Sequence, residues 1–270
     1  MNIQFPLRSS PFMTARWEQL ILLNYRCPEE LLAPLVPQGT ELDPWHGQHY
    51  VSLVGFMFRD ARLFGLPIPF HGSFEEVNLR FYIRRRMEDG TWRRGVVFIR
   101  ELVAKPAVTF VAKRVYNESY FTVPMNHRIA NEPNGQQSIE YGLQYQGNSY
   151  RVGATVTGEP AIPVAGSLAE YITEHYWGYT RQRDGGTCEY EVQHPQWPVW
   201  NPEEWFLTGP MTGLYGAGLG GVLSGEPESV LVSPGSAVKV YRGHRLPTET
   251  AAHASTVRRN ATPKKSLPCG

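Results

Sequence analysis

Strict alternation of apolar and polar residues predicts a β-strand over residues 74–83. The odd-numbered side chains are mostly apolar, and they predict the face that packs in a core. The even-numbered side chains are polar with an aromatic residue at each end, a pattern that suits either solvent or a wet cavity. These even-numbered residues are Phe74, Glu76, Asn78, Arg80 and Tyr82.

Short segments of the same strand character recur before residue 160, separated by brief turns such as Asp89-Gly90. Seven or eight strands in this arrangement favour a curled antiparallel sheet or barrel over a chain of parallel βαβ units. Pro234-Gly235 predicts a further turn within the last alternating run, residues 229–241. The early strands are predicted at residues 17–25, 50–58, 74–83, 95–103, 108–116, 120–125, 137–145 and 149–157.

Two helices interrupt the strand pattern. A short one is predicted to begin at Pro28 and to stop before Pro37. A long one is predicted to begin at a capping box formed by Ser167 and Glu170, and helical spacing carries it to about residue 183. A strand at residues 188–192 follows it.

The chain is long enough for one large domain, and its composition supports a core, with 41% hydrophobic and 12% aromatic residues. We predict an N-terminal extension over residues 1–13, a single domain over residues 14–245 and a tail over residues 246–270. The tail has almost no large apolar residues. Since such a segment cannot offset its ordering entropy, we expect it to be disordered.

Charge and cysteine usage limit the partners and the compartment. The formal net charge is +1, from 26 basic and 25 acidic residues, so there is no electrostatic footprint for nucleic acid or an anionic membrane. Cys27, Cys188 and Cys269 are odd in number and widely spaced, which favours a reducing compartment. No signal-like apolar core or membrane-length stretch is present. We therefore expect a soluble cytoplasmic protein, with a homo-oligomer left open.

Two motifs have obvious functional interpretations that we do not favour. Residues 216–221 satisfy G-x-G-x-x-G, but no βαβ pattern surrounds them, so a flexible or tightly packed loop is predicted and no cofactor. His46 and His49 lie near Asp43, yet a zinc site needs three or four converging ligands. Surface or packing roles are predicted for both histidines, and no metal site.

Charged residues that interrupt apolar runs form the main candidate site. If adjacent strands curl, these side chains could converge in a cavity, where a lysine beside other cations would have a lowered pKa and could form Schiff bases with carbonyl compounds. The alternative is that they are charged strand ends and a solvated face. The candidates for ligand binding are Glu76, Asn78, Arg80, Arg100 and Glu101, and the candidate amine nucleophiles are Lys105 and Lys113.

At these residues the chain resembles the YqjF-like proteins, a family of unknown function in the acetoacetate-decarboxylase-like superfamily. The resemblance extends from Thr14 to Arg242. It implies an α+β fold that is mostly antiparallel β, in which a curled sheet forms a cone or barrel with a central cavity, plus one long and one short helix. The resemblance is carried by Trp17, Tyr25-Arg26, Pro28, residues 31–37, 74–82, 95–98 and 112–114, Tyr120, Pro124-Met125 and residues 190–194.

One departure from the superfamily bears on the chemistry. The decarboxylase carries an R-E-L-x-A-x-P segment followed at once by two lysines, the first of which forms the Schiff base. This chain has the segment at residues 100–106, with Lys105 inside it, but Ala107 and Val108 stand where the lysine pair would be. Decarboxylation by that mechanism is therefore not expected. The leading hypothesis is a domain that binds an organic acid or a carbonyl compound, and the alternative is a non-catalytic binding or interaction module.

If Lys105 or Lys113 acts as an amine nucleophile, a carbonyl compound should be trapped on the protein covalently. Incubation with acetoacetate or pyruvate plus borohydride, followed by intact mass measurement, should then show one added adduct, and peptide mapping should locate it. No adduct with any of a small panel of carbonyl compounds would refute the nucleophile hypothesis.

Overall fold

Strands make up most of the computed structural model, which describes residues 10–67, 72–106 and 119–246. The helices are α1 (Glu29–Leu32), continued by a 3-10 turn at Ala33–Leu35, α2 (Leu168–Thr173) and α3 (Met211–Leu223). The strands are β1 (Met13–Arg26), β2 (Glu41–Leu42), β3 (Tyr50–Leu63), β4 (Leu66–Pro67), β5 (Phe74–Arg86), β6 (Trp92–Val103), β7 (Tyr120–Thr122), β8 (Met125–Asn131), β9 (Gln137–Tyr145), β10 (Asn148–Val156), β11 (Trp177–Arg181), β12 (Thr187–Gln193), β13 (Glu204–Thr208), β14 (Ser229–Val240) and β15 (His244–Arg245).

The larger sheet curls into a ring. Its strand order is β5-β3-β1-β14-β12-β11-β6, and β6 also pairs with β5, so the pairings return to their start. Most of the neighbours are antiparallel, and β6 and β11 are parallel and joined by one residue pair, Val96 with Gly178. The predicted curled, mostly antiparallel sheet is thereby confirmed, with a narrow seam between β6 and β11.

Each face of this sheet packs against a different layer. One face, here called the α3 face, is covered by α1, α3 and a second sheet of order β13-β10-β9-β8. The other, the α2 face, is covered by α2 and by Trp197. The second sheet approaches closely at Gly55, where the Tyr141 ring packs directly against the backbone. A Cβ at Gly55 would lie only 2.8 Å from that ring. The β9–β10 hairpin agrees with the strands predicted at residues 137–145 and 149–157.

The long helix predicted from Ser167 is wrong in extent. The cap itself is present, since the Ser167 hydroxyl accepts a hydrogen bond from the Glu170 amide at 3.2 Å. The helix ends at Thr173, however, and residues 177–181 form β11, paired with β12. Cross-strand pairing therefore overrides the helical spacing, and the Asp184-Gly185-Gly186 segment is the tip of a hairpin.

The glycine-rich motif at residues 216–221 lies in a helix, so its prediction as a loop is wrong. Gly216 has a positive φ of 78° and breaks α3 into two pieces. A Cβ at Gly220 would lie 2.4 Å from Thr212 Cα, and one at Gly218 would lie 2.8 Å from Leu31. Tight packing, the other half of the prediction, accounts for these glycines.

Pro234-Gly235 does not form the predicted turn. Strand β14 continues through both residues, and its register with β1 is unchanged across them, with Glu18 opposite Gly235 and Leu20 opposite Ser233. The glycine is required because a Cβ at Gly235 would lie 1.9 Å from Trp17 O. The strand thus continues where a chain reversal was predicted.

Several predictions lie outside the described residues: the strand at residues 108–116, Lys113, the first nine residues and the tail beyond Leu246. Within the described ranges, no helix is long and apolar enough to cross a membrane.

The seam between β6 and β11 predicts a sensitive position at Gly95. A Cβ there would lie 2.5 Å from Trp177 O and 2.6 Å from the Tyr179 ring, so Gly95→Ala should lower the free energy of unfolding by about 1–3 kcal/mol in urea denaturation. The matched control is Gly221→Ala in α3, where the space is open. It should be neutral or stabilising by up to about 1 kcal/mol. Equal effects at the two positions would contradict the tight seam.

Candidate functional site

The even-numbered side chains of β5 are buried on the α2 face. Glu76, Asn78 and Arg80 are 2%, 3% and 9% exposed, and the aromatic residues at either end belong to the core cluster of this face. Of the two environments that the sequence left open, solvent is excluded. The strand is buried on both sides, with apolar residues on the α3 face and polar residues on the other.

A bulge in β6 decides which of its charged residues joins them. Arg80 pairs with Phe98, but Leu79 pairs with Arg100, so Ile99 is an extra residue on this strand. The insertion reverses the alternation. Glu101 consequently pairs with Asn78 and shares its face, where it is 1% exposed. Without the extra residue, Arg100 would stand opposite Asn78.

Arg100 is therefore not part of the same group, and the expectation that it converges with Glu76 and Arg80 is corrected. Its guanidinium lies on the α3 face, donates to Leu214 O at 2.5 Å and lies 4.8 Å from the Phe121 ring. Lys105 follows the end of β6 by two residues and is half-buried. The structure thus brings together four predicted residues, here called the polar group: Glu76, Asn78, Arg80 and Glu101.

Hydrogen bonds link part of the polar group. Glu76 accepts from Asn78 Nδ2 at 2.9 Å and from the Tyr120 hydroxyl at 3.3 Å. The amide oxygen of Asn78 is buried and has no donor among the described residues. This side of the group therefore combines a well-held carboxylate with an unused acceptor.

Arg80 is a buried cation without a carboxylate partner among the described residues. Its Nη2 donates to Ile172 O at 3.3 Å, and its Nε has no acceptor in the described part of the chain. The Tyr82 ring lies 5.8 Å away. Buried charges are normally paired, because removing an ion from water costs several kcal/mol. Arg80 departs from that rule.

The polar residues beside Arg80 obey it. On the neighbouring strands, Ser52 stands opposite Arg80 and Asn24 opposite Ser52. The Ser52 hydroxyl donates to Asn24 Oδ1 at 2.6 Å, so its contact with the Tyr82 hydroxyl must have tyrosine as donor. The Asn24 amide donates to Ser229 Oγ at 3.1 Å. This network is complete, in contrast to Arg80 and Asn78.

A buried histidine adjoins the same region. His175 contacts the Tyr82 ring at 4.7 Å, and its Nε2 lies 3.7 Å from Asp43 Oδ2. Burial lowers the pKa of His175 to about 4, and the charges of Arg94 and Arg80 act in the same direction, against Asp43. Its imidazole is therefore neutral at pH 7, and the residue is buried beyond the end of α2, outside the helix that the sequence predicted to continue to residue 183.

A second histidine is influenced by the same arginine. His194 stacks on Trp197 with ring centroids 4.1 Å apart. Burial lowers its pKa to about 4, and the charge of Arg80 contributes in the same direction. Arg80 therefore lies near two imidazoles that are uncharged at neutral pH, and neither offers it a counter-charge.

Sequence reasoning missed several residues of this region. Asn24 and Ser52 lie in strands that read as plain apolar runs, and only the register of β1, β3 and β5 brings them beside Arg80. Tyr120 and His175 come from distant segments. A neutral polar residue within an apolar strand is the signal that could have found Asn24 and Ser52.

Comparison with known proteins places this fold among related chains. The model of the DUF2071 family, which is described as an uncharacterized conserved protein, matches residues 14–237. The "Uncharacterized protein YqjF" of Bacillus subtilis (strain 168) is 26% identical over 208 residues, which cover 76% of this chain and 81% of that one.

Solved structures with the same fold are enzymes or enzyme-like. An acetoacetate decarboxylase from Legionella pneumophila superposes with a TM-score of 0.63 at 13% identity, over 92% of this chain and 95% of that one. The enduracididine biosynthesis enzyme MppR, complexed with pyruvate, gives 0.63 at 13% identity, over 90% and 93%. An acetoacetate decarboxylase-like enzyme from Sphingomonas wittichii RW1 gives 0.59 at 13% identity, over 89% and 95%. At this identity the likeness establishes the fold.

The depressed pKa of His175 predicts a pH-dependent stability. Below pH 6.5 the unfolded chain binds a proton at this histidine, whereas the folded chain does not until the pH approaches 4. The free energy of unfolding should therefore fall by about 3 kcal/mol between pH 6.5 and 4 on account of His175. His194 should add a similar dependence.

Replacing His175 with phenylalanine should make the profile shallower by about one proton in that window, measured by urea denaturation at each pH. The control is His46→Asn, at an exposed turn position with a φ of 47°, which asparagine tolerates. A His175→Phe profile parallel to that of the wild type would show that His175 titrates normally.

Proposed function

Because this chain belongs to the DUF2071 family of uncharacterized conserved proteins and has the acetoacetate-decarboxylase-like fold, we propose that its polar group binds a small organic acid. The carboxylate of that acid pairs with Arg80. Glu76, Asn78 and Glu101 line the same face and contact the rest of the molecule. A carbonyl compound without a carboxylate, the other class that the sequence suggested, would leave the arginine unmatched.

The unpaired guanidinium of Arg80 is the observation that carries this proposal. A cation that is 9% exposed, and that has no carboxylate within ion-pair distance among the described residues, lowers the stability of the free protein. An anion that binds there regains the lost electrostatic energy. Carboxylates match the planar geometry of a guanidinium, which can donate two parallel hydrogen bonds.

The solved relatives support the same class of ligand. MppR is a protein of this fold that has been obtained in complex with pyruvate, a small organic acid. The two proteins share 13% of their residues, so MppR suggests the ligand class, and Arg80 supplies the independent reason in this chain.

Binding of the acid is common to the two hypotheses, a catalytic domain and a non-catalytic binding module. A catalytic protein would add chemistry at Lys105 or Lys113 to the bound acid, and a binding module would not. We propose the cytoplasm as its compartment, since Cys27 and Cys188 are both buried free thiols.

Replacing Arg80 with methionine should abolish selective binding of carboxylates. In wild type, lactate should bind at least about tenfold more tightly than lactamide, because the amide lacks the charge that pairs with the guanidinium. The difference should vanish in Arg80→Met. Isothermal titration calorimetry or ligand-detected NMR measures both affinities. Without ligand, Arg80→Met should unfold at an equal or higher urea concentration than wild type, since it removes an unpaired buried charge.

The chain offers a matched control in Arg100, an arginine from the paired strand that lies on the α3 face. Arg100→Met loses a hydrogen bond and should be less stable, but it should still discriminate lactate from lactamide. If neither acid nor amide binds the wild-type protein, or if Arg80→Met binds lactate as well as wild type does, the proposal is wrong.

A further inference from the structure

Asn78 presents an unused hydrogen-bond acceptor two residues from Arg80, on the same face of β5. Its Oδ1 is buried and has no donor among the described residues. We infer that the acid bound by Arg80 carries a hydrogen-bond donor near its carboxylate, a hydroxyl or an amino group, and that Asn78 Oδ1 accepts from it. This inference rests on the proposed function and specifies which organic acids fit.

The orientation of the Asn78 amide is fixed by its neighbour. Nδ2 lies 2.9 Å from Glu76 Oε1, and an ionised carboxylate only accepts hydrogen bonds. Exchanging the amide nitrogen and oxygen would bring two acceptors together at that distance. The nitrogen must therefore point to Glu76, which leaves the oxygen to face another group.

Two tyrosine hydroxyls of this face are engaged elsewhere. The Tyr120 hydroxyl donates to Glu76 at 3.3 Å. The Tyr82 hydroxyl donates to Ser52, whose own proton goes to Asn24. Since each hydroxyl has a single proton, neither tyrosine can serve Asn78 as well. A ligand that carries both a donor and a carboxylate would satisfy Asn78 and Arg80 together.

Arg80 and Asn78 then define complementary requirements. The guanidinium is a donor only, so it selects an acceptor, the carboxylate. The amide oxygen is an acceptor only, so it selects a donor. A simple oxo acid offers acceptors alone and would leave a buried amide oxygen unsatisfied, which a binding site disfavours strongly.

The spacing of the two residues suits a small ligand. Residues two apart in a strand have Cα atoms about 7 Å apart, and their side chains leave the same face. A short skeleton is enough to reach both, so we expect the donor on the second or third carbon. Small hydroxy acids and amino acids meet this requirement.

A matched series of ligands tests the inference on the wild-type protein. Lactate, alanine, pyruvate and propionate share three carbons and a carboxylate. On the second carbon, lactate has a hydroxyl, alanine an amino group and pyruvate an oxo group, and propionate has none of these. 3-Hydroxybutyrate against acetoacetate repeats the comparison one carbon further along. Calorimetry or ligand-detected NMR should show lactate or alanine binding at least about tenfold more tightly than pyruvate and propionate. Which of the two binds more tightly identifies the donor as hydroxyl or ammonium.

Two variants assign the preference. Asn78→Leu, which has nearly the same shape and no acceptor, should bind all members of the series within about twofold of one another. Ser52→Ala removes a polar group from the same face but belongs to the completed network, so it should keep the preference.

The outcomes separate this inference from the proposal on which it rests. Equal binding of lactate, pyruvate and propionate by the wild type, with the Arg80 dependence intact, overturns the inference and leaves the organic-acid site standing. A donor preference that survives in Asn78→Leu overturns the role of Asn78. Failure of every acid to bind overturns the proposed function, and this inference with it.

Discussion

The pairing of β5 with β6 is the constraint on which the rest of the structure depends. It closes the ring of strands, and its single extra residue at Ile99 determines which charges are placed together. Because side chains alternate across a strand, one inserted residue exchanges the faces of all that follow. Glu101 thereby meets Asn78, and Arg100 is directed to the helix on the other side. The composition of the candidate site is thus a consequence of backbone register.

The same face contains two kinds of buried polar residue, and the contrast between them is informative. The network of Asn24, Ser52 and Tyr82 satisfies its hydrogen bonds across three strands, as buried groups ordinarily do. Arg80 and Asn78, on the same face, each retain a buried atom that has no partner in the described residues. A fold able to satisfy one set could have satisfied the other. The exception therefore indicates a site adapted to something besides stability.

The sequence predicted the features that depend on neighbouring residues and missed those that depend on segments distant along the chain. Alternation in β5 correctly indicated a strand with one apolar and one polar face, and Glu76, Asn78, Arg80 and Glu101 do share a face. It could not reveal the bulge at Ile99, because nothing in the sequence of residues 95–103 marks one residue of the strand as unpaired. Helical spacing also assigned residues 174–183 to a helix, although the pairing of β11 with β12 makes residues 177–181 a strand. Register and cross-strand pairing are decided by distant segments, so local patterns do not specify them.

The family resemblance and the geometry inform different parts of the problem. Likeness to decarboxylase structures at 13% identity establishes the curled sheet, and the superfamily segment at residues 100–106 supplied candidate ligand-binding residues. In this chain, however, the arginine of that segment faces α3, and the unpaired cation is Arg80, from the neighbouring strand. A ligand placed on that arginine would lie on the opposite side of the sheet from Arg80, whereas Glu101 of the same segment shares the face of Arg80. Its chemistry has to be inferred instead from the atoms that the fold leaves unsatisfied: a donor that needs an anion, and an acceptor that needs a proton.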